Sequence, residues 1–232
     1  ELIKYAANGF LATKISFINE IANLCEAVGA DIHAVSKGIG LDGRIGRKFL
    51  RSGPGYGGSC LPKDTRSLAQ IAKKNNIPSL IIDTVIEVNQ SQKVRMINKI
   101  CNALGGATKG KKIGVLGLTF KPETDDMREA PSIKILSKLI DDGVTVHAHD
   151  PQGIENAKPL LPESVQYSNS IYDIFKDADA IILFTEWDVY RGLDLVRIRS
   201  LMKDNIFIDL RNVYDPDKMK SHGFLYFCIG RA

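Results

Sequence analysis

From residue 2 to residue 28 apolar side chains recur every three to four positions, through Leu11, Ile15, Ile18, Ile21, Ala22, Cys25 and Val28. This period predicts one long amphipathic helix, and Gly29 is placed to end it in the left-handed conformation. Asp31 caps a second helix across His33 to Lys37, closed by Gly38 and Gly40. Residues 41–60 read as a loop. A third helix runs from Pro62 to Asn76, because proline suits the first turn, where its missing N–H costs nothing; Asn75, Asn76 and Pro78 stop it. Ser79 caps a fourth, long helix through Ile82, Val85, Ile86, Val94, Ile97, Ile100 and Leu104, which Gly105 and Gly106 end.

At Lys111 the period changes. Short apolar runs at 112–118, 144–150, 180–184, 206–210 and 224–229 read as five strands. Between them lie helical patterns at 132–142, 171–176 and 193–202, while 151–170 is Pro-containing and irregular. Strands alternating with helices predict an α/β fold with a parallel, doubly wound sheet. Such sheets bind ligands beyond the carboxyl ends of their strands. Polar residues stand there: Lys121, Asp150, Thr185 with Glu186, and Arg211.

Composition narrows the function classes. The chain has 232 residues, 44% hydrophobic and 25% charged, and a net charge of +4. That balance points to neither nucleic acid nor a membrane surface and suits an anionic small molecule. No apolar run reaches the ~18 residues of a membrane span, and no signal peptide is visible. Cys25, Cys60, Cys101 and Cys228 are widely spaced, without a C-x-x-C pattern, and the four histidines lack ligand spacing. Neither a metal site nor a disulfide framework is expected, and a reducing cytoplasm is. The chain opens at Glu1 within a helical pattern, which reads as a piece of a longer protein.

The chemistry concentrates in Gly53-Pro54-Gly55-Tyr56-Gly57-Gly58-Ser59-Cys60-Leu61-Pro62-Lys63-Asp64. Its glycines allow positive φ and close approach to a ligand. They place Cys60 just before a helix N-terminus, where partial positive charge and free N–H groups favour a thiolate. The alternative is a buried cysteine in a surface turn. Asp64, about one turn on, either orients a lysine or water or complements the helix dipole. Lys4 and Asn8, at i and i+4, share a face that binds an anionic oxygen or is merely solvated. Gly114-Val115-Leu116-Gly117 lacks the full dinucleotide fingerprint, and tight helix–strand packing explains its glycines equally well. Lys121 is placed to meet a phosphate. Arg211 either pairs with phosphate or carboxylate or makes a local salt bridge. His147 and His149 read as structural.

In order, the segments Glu1-Leu2-Ile3-Lys4-Tyr5-Ala6-Ala7-Asn8, Asn19-Glu20, Gly40-Leu41-Asp42-Gly43-Arg44-Ile45-Gly46, Gly53 to Asp64, Gly117-Leu118-Thr119-Phe120-Lys121, Arg128-Glu129-Ala130-Pro131-Ser132, Thr185-Glu186-Trp187 and Asp209-Leu210-Arg211 resemble the UDP-glucose/GDP-mannose dehydrogenase family. The likeness covers essentially the whole chain and favours the UDP-glucose 6-dehydrogenases within that family. The Asp42-Gly43-Arg44-Ile45-Gly46 loop carries this preference over GDP-mannose 6-dehydrogenase.

The resemblance implies a helical central, dimerising domain over 1–106 and a Rossmann-like UDP-sugar-binding domain over 107–232, with an N-terminal NAD-binding domain outside these residues. It implies two oxidations of UDP-glucose to UDP-glucuronate with NAD, through a thiohemiacetal and a thioester on Cys60. Catalytic roles fall on Cys60, Lys4, Asn8 and Asp64. Substrate contacts fall on Lys4, Asn8, Arg44, Phe49, Leu50, Arg51, Ser52, Gly53, Gly57, Phe120, Lys121 and Arg211, and cofactor contacts on Cys60, Lys63 and Arg128. A homodimer through the helical domain is expected. The chain alone is expected to be catalytically inactive, or to act as a nucleotide-sugar-binding or dimerisation module.

Overall fold

The computed structural model describes residues 1–231. They form two compact units, Glu1–Lys93 together with the residues from Ile229 on, and Val94–Cys228. Helix α4 runs through the boundary.

The first unit is helical: α1 (Leu2–Val28), α2 (Ile32–Ile39), α3 (Leu61–Lys74) and the start of α4 (Leu80–Ala103). Helix α1 ends where expected, with Gly29 at φ 72° and its N–H on the Cys25 carbonyl. Asp31 accepts the His33 N–H and caps α2, which continues through Gly38 to Ile39 rather than stopping at Lys37. The buried face of α1 is made of Gly9, Ala12, Ser16, Ile18, Asn19, Ala22 and Cys25, most of them small. The opposite face leaves Ile3, Phe10, Phe17 and Leu24 exposed.

The second unit is a six-stranded parallel sheet in the order β3-β2-β1-β4-β5-β6. Its strands are β1 (Lys112–Leu116), β2 (Thr145–His149), β3 (Gln166–Tyr167), β4 (Ala180–Leu183), β5 (Ile206–Asp209) and β6 (Leu225–Cys228). The helices are α5 (Pro131–Asp141), α6 (Ile154–Ala157), α7 (Leu195–Leu201) and α8 (Pro216–Ser221). The order reverses between β1 and β4, the switch point at which open α/β sheets bind ligands.

The five expected strands are therefore six. The region 151–170, expected to be irregular, contains α6 and β3. A two-residue edge strand is too short to show alternation, so only its pairing with His147 and Ala148 defines it. The segment 171–176 forms a 3-10 turn over Ile171–Phe175. Strand β1 stops at Leu116, two residues early, because Gly117 turns the chain at φ +83° and the Asp150 carboxylate takes the Leu118 and Thr119 N–H groups. Helix α8, absent from the expected elements, begins on an Asp215 cap with Pro216 after it, a start signal carried by the sequence itself. One face of the sheet buries a core that includes Phe175, Ile181, Trp187, Tyr190, Phe207 and Phe224.

Asp179, 2% exposed, ties the N-terminal end of this sheet together. It accepts the Lys112 N–H at 2.8 Å and Lys203 Nζ at 2.9 Å, with Lys111 Nζ at 3.7 Å. Burial pushes its carboxyl up, but these donors outweigh that and hold it below the usual range. A depressed acid stabilises the fold above its unfolded value, near 3.9, and loses that contribution as pH falls through the folded value. Asp179→Asn is expected to cost about 1–3 kcal/mol in urea unfolding at pH 7. The difference from wild type should shrink below about pH 4; a difference independent of pH would contradict this account.

Candidate active site

The loop before Cys60 is held by three buried side-chain amides. Asn19 Oδ1 on α1 accepts the Gly53 N–H at 2.8 Å, and Gln92 Nε2 on α4 donates to the Gly53 carbonyl at 2.8 Å. Asn89 Oδ1 accepts the Tyr56 N–H at 2.8 Å, and its Nδ2 donates to the Tyr56 carbonyl at 3.1 Å. Buried backbone groups need partners, and here amides on two helices replace the partners that regular structure would supply. The Tyr56 ring is buried with Ala12 and Val85. Gly55 sits at φ +117°, and a Cβ there would lie 2.8 Å from Asn89 Oδ1. Asn19 stands out in the sequence only as part of a matching segment, and Asn89 and Gln92 do not stand out at all. Their available signal was polarity on the apolar face of a helix. Asn89→Ala strands the Tyr56 N–H and carbonyl and is expected to cost about 2–4 kcal/mol in urea unfolding; a loss below about 0.5 kcal/mol would mean that water replaces the clamp.

Cys60 lies at the N-cap of α3, exposed, and its side chain takes none of the first-turn N–H groups. Its Sγ is 3.7 Å from Ser59 Oγ, and its carbonyl accepts the Asp64 N–H at 2.8 Å. Asp64, in the first turn, is 0% exposed. Asn8 Nδ2 donates to its Oδ2 at 2.6 Å, and Lys4 Nζ lies 3.8 Å from the same oxygen. Lys63 Nζ is 3.7 Å from Oδ1, which has no hydrogen-bond partner. The structure thus brings Lys4, Asn8 and Lys63 to one carboxylate just after the thiol. A carboxylate this deeply buried is tolerated because cations and a donor surround it, and its Oδ1 is left with the Lys63 ion pair and no hydrogen bond.

The preceding loop is less tightly gathered. Arg44 is exposed and pairs with Asp42 through Nε and Nη2 at 3.0 and 2.5 Å, which holds the Asp42 carboxyl below its usual range. Lys14 Nζ donates to the Ile45 carbonyl at 2.8 Å. Phe49 is exposed in the left-handed region, φ 64°, a costly conformation for a non-glycine residue. Leu50, Ser52, Gly53 and Gly57 are buried, while Arg51 is exposed.

In the sheet unit, Arg211 spans the switch point. Its Nε donates to the Phe184 carbonyl at 2.7 Å and its Nη2 to the Phe120 carbonyl at 3.0 Å. Glu186 Oε2 lies 3.2 Å from Nε, so the local salt bridge left open by the sequence is present. Lys121 is exposed, with Nζ 5.4 Å over the Phe120 ring. Arg128 is exposed and forks onto Asp126 at 2.9 and 2.7 Å.

This sheet does not fit a dinucleotide in the usual way. A Cβ on Gly117 would meet Thr185 Cβ at 2.5 Å, so the glycine admits a side chain where a phosphate loop would admit pyrophosphate. Asp150, at the strand end where such folds carry a ribose-binding acid, is 3% exposed and accepts the Leu118, Thr119, Gln152 and Gly153 N–H groups. His149, also buried, bonds the Tyr190 hydroxyl through Nδ1 at 2.9 Å. Among the described residues, no group of three His, Cys, Asp or Glu is placed to hold a metal, and no helix is long and apolar enough to cross a membrane.

Residues 1–91 match the model of the UDP-glucose/GDP-mannose dehydrogenase family, central domain, and residues 114–216 that of the same family's UDP binding domain. The chain is 51% identical to UDP-glucose 6-dehydrogenase of Rhizobium meliloti (strain 1021), over 100% of this chain and 53% of that protein. It is 48% identical to UDP-glucose 6-dehydrogenase TuaD of Bacillus subtilis (strain 168), over 100% of this chain and 50% of the relative. The solved UDP-glucose dehydrogenase of Pyrobaculum islandicum superposes with a TM-score of 0.88 at 35% identity, covering 100% of this chain and 51% of that one. The chain spans about half the length of the curated relatives it matches. Two matched domains of one family, on the same chain and in the same fold as a solved relative, place this protein in the UDP-glucose/GDP-mannose dehydrogenase family.

Proposed function

We propose that this chain supplies the nucleophile and the nucleotide-sugar site of an NAD-dependent dehydrogenase that oxidises UDP-glucose twice to UDP-glucuronate. The observation that carries the reading is the buried Asp64 carboxylate, held by Asn8, flanked by Lys4 and Lys63 and without a hydrogen bond at Oδ1, one turn past an exposed cysteine. The names and coverage of the relatives support the substrate.

In this reading Cys60 Sγ adds to the C6 aldehyde and gives a thiohemiacetal. The next oxidation leaves a thioester, which water opens to the acid, returning the thiol. Lys4 Nζ stabilises the developing oxyanion, and Asn8 with Asp64 holds the reacting oxygen and then the hydrolytic water. Arg44, Phe49, Leu50, Arg51, Ser52, Gly53 and Gly57 surround the sugar nucleotide, and Phe120, Lys121 and Arg211 hold its UDP part. NAD, when bound, accepts the hydride of each oxidation. The sheet unit does not offer it a dinucleotide site; Lys63 and Arg128, both exposed cations, fit contacts to its diphosphate. The four free thiols suit a reducing cytoplasm.

The test is to assay a full-length protein carrying this chain with UDP-glucose and with GDP-mannose. Two NADH per UDP-glucose are expected. NADH from GDP-mannose alone would replace the substrate assignment, and none from either would overturn the function.

The exposed stripe of Ile3, Phe10, Phe17 and Leu24, seven residues apart along α1, supports a homodimer through the helical unit. Phe17→Glu places a charge in that stripe and is expected to shift the protein to monomer in sedimentation analysis. A wild-type monomer at tens of micromolar would rule the dimer out.

A further inference from the structure

The strand end that presents Arg211 is built around a second buried acid. Asp209, the last residue of β5, is 0% exposed. Its Oδ1 accepts the Arg211 N–H at 2.9 Å. Its Oδ2 accepts the Val213 N–H at 2.7 Å, the Tyr214 N–H at 3.0 Å and the Tyr226 hydroxyl at 2.8 Å. Asn212 lies in the left-handed region at φ 55°, which doubles the chain back and turns the Val213 and Tyr214 N–H groups onto the carboxylate. Four donors converge on one side chain, and the turn they close carries Arg211. From there the guanidinium reaches across the end of β4 to the Phe184 carbonyl and on to the Phe120 carbonyl beyond β1.

We infer that Asp209 is a positioning residue for nucleotide binding: its carboxylate closes the 209–214 turn and thereby aims the Arg211 guanidinium across the switch point. Burial pushes the Asp209 carboxyl up, and the four donors work against that by favouring the ionised form, which accepts on both oxygens. An asparagine in the same place offers one carbonyl and turns an NH2 towards N–H groups or a hydroxyl. A lysine at 211 cannot fork onto two carbonyls and still present a charged edge. Glu186 Oε2 lies 3.2 Å from the same Arg211 Nε that bonds the Phe184 carbonyl, an ion pair without a hydrogen bond of its own. The inference rests on the reading of Arg211 as a UDP contact, and its test separates the two.

UDP is titrated calorimetrically into the 232-residue chain and into Arg211→Ala, Asp209→Asn and the double variant. Arg211→Ala is expected to weaken UDP at least about tenfold, the loss of a charge-assisted hydrogen bond. Asp209→Asn should weaken it severalfold, and the double variant should bind no more weakly than Arg211→Ala alone. Multiplying effects in the double variant, or a destabilised Asp209→Asn with unchanged UDP affinity, would make Asp209 a structural residue only and overturn the inference. An Arg211→Ala variant with wild-type affinity would instead overturn the reading of Arg211 itself. If Asp209→Asn does not fold, Tyr226→Phe removes one of the four donors with little change of shape. It is then expected to weaken UDP in the wild-type background and not in Arg211→Ala, and an equal effect in both backgrounds would overturn the inference.

Discussion

Cys60→Ser in a full-length protein carrying this chain is expected to lower overall turnover of UDP-glucose by at least about a thousandfold, with UDP-glucose binding retained. The side chain is exposed at the N-cap of α3 and caps no N–H group, so the substitution removes no packing or capping interaction. Thermal stability should therefore be unchanged. What is lost is the nucleophile: a serine hydroxyl has no adjacent base comparable to the histidine of a serine hydrolase, and its oxygen stays protonated and slow. The first oxidation does not require the thiol, so a carbonyl reagent should trap aldehyde from the variant. Turnover within tenfold of wild type would exclude a covalent intermediate on Cys60.

Asp64→Asn is expected to reduce kcat by about 10²–10³-fold with KM for UDP-glucose within a few fold. The amide keeps an acceptor for Asn8 Nδ2 but loses the charge that Lys4 and Lys63 face, and it changes Oδ1, the carboxylate oxygen that has no hydrogen bond. The UDP part is assigned to other residues, which is why the effect should fall on kcat. Because Asp64 is fully buried, a change in shape or polarity carries a second penalty: Asp64→Leu strands Asn8 and should destabilise the helical unit by about 1–3 kcal/mol. A rise in KM with kcat unchanged would assign Asp64 to ground-state binding rather than to the reacting oxygen.

The helices of the first unit were legible because each signal is local. The apolar period of α1, Gly29 at its end, Asp31 before α2 and Pro62 after Cys60 all act within a few residues of where they stand. The parallel sheet was legible from buried apolar runs for the same reason, and the edge strand Gln166–Tyr167 was not, because two residues carry no period. Cys60 could be singled out from its glycines and the helix start, and the Lys4–Asn8 pair from its spacing.

The sequence by itself determined the element types, the α/β class and the position of Cys60 ahead of a helix, since these follow from periodicity, caps and turn residues along a short stretch of chain. Only the tertiary structure decided which partners meet. Asn8 reaches Asp64 across 56 residues, Asn89 and Gln92 grip a loop more than 30 residues away, and Arg211 bonds a carbonyl 91 residues before it. A polar residue on a buried helix face reads the same in the sequence whether it satisfies a neighbour or stands unused. The buried backbone or carboxylate that it must pair with is brought to it only by the packing of other elements.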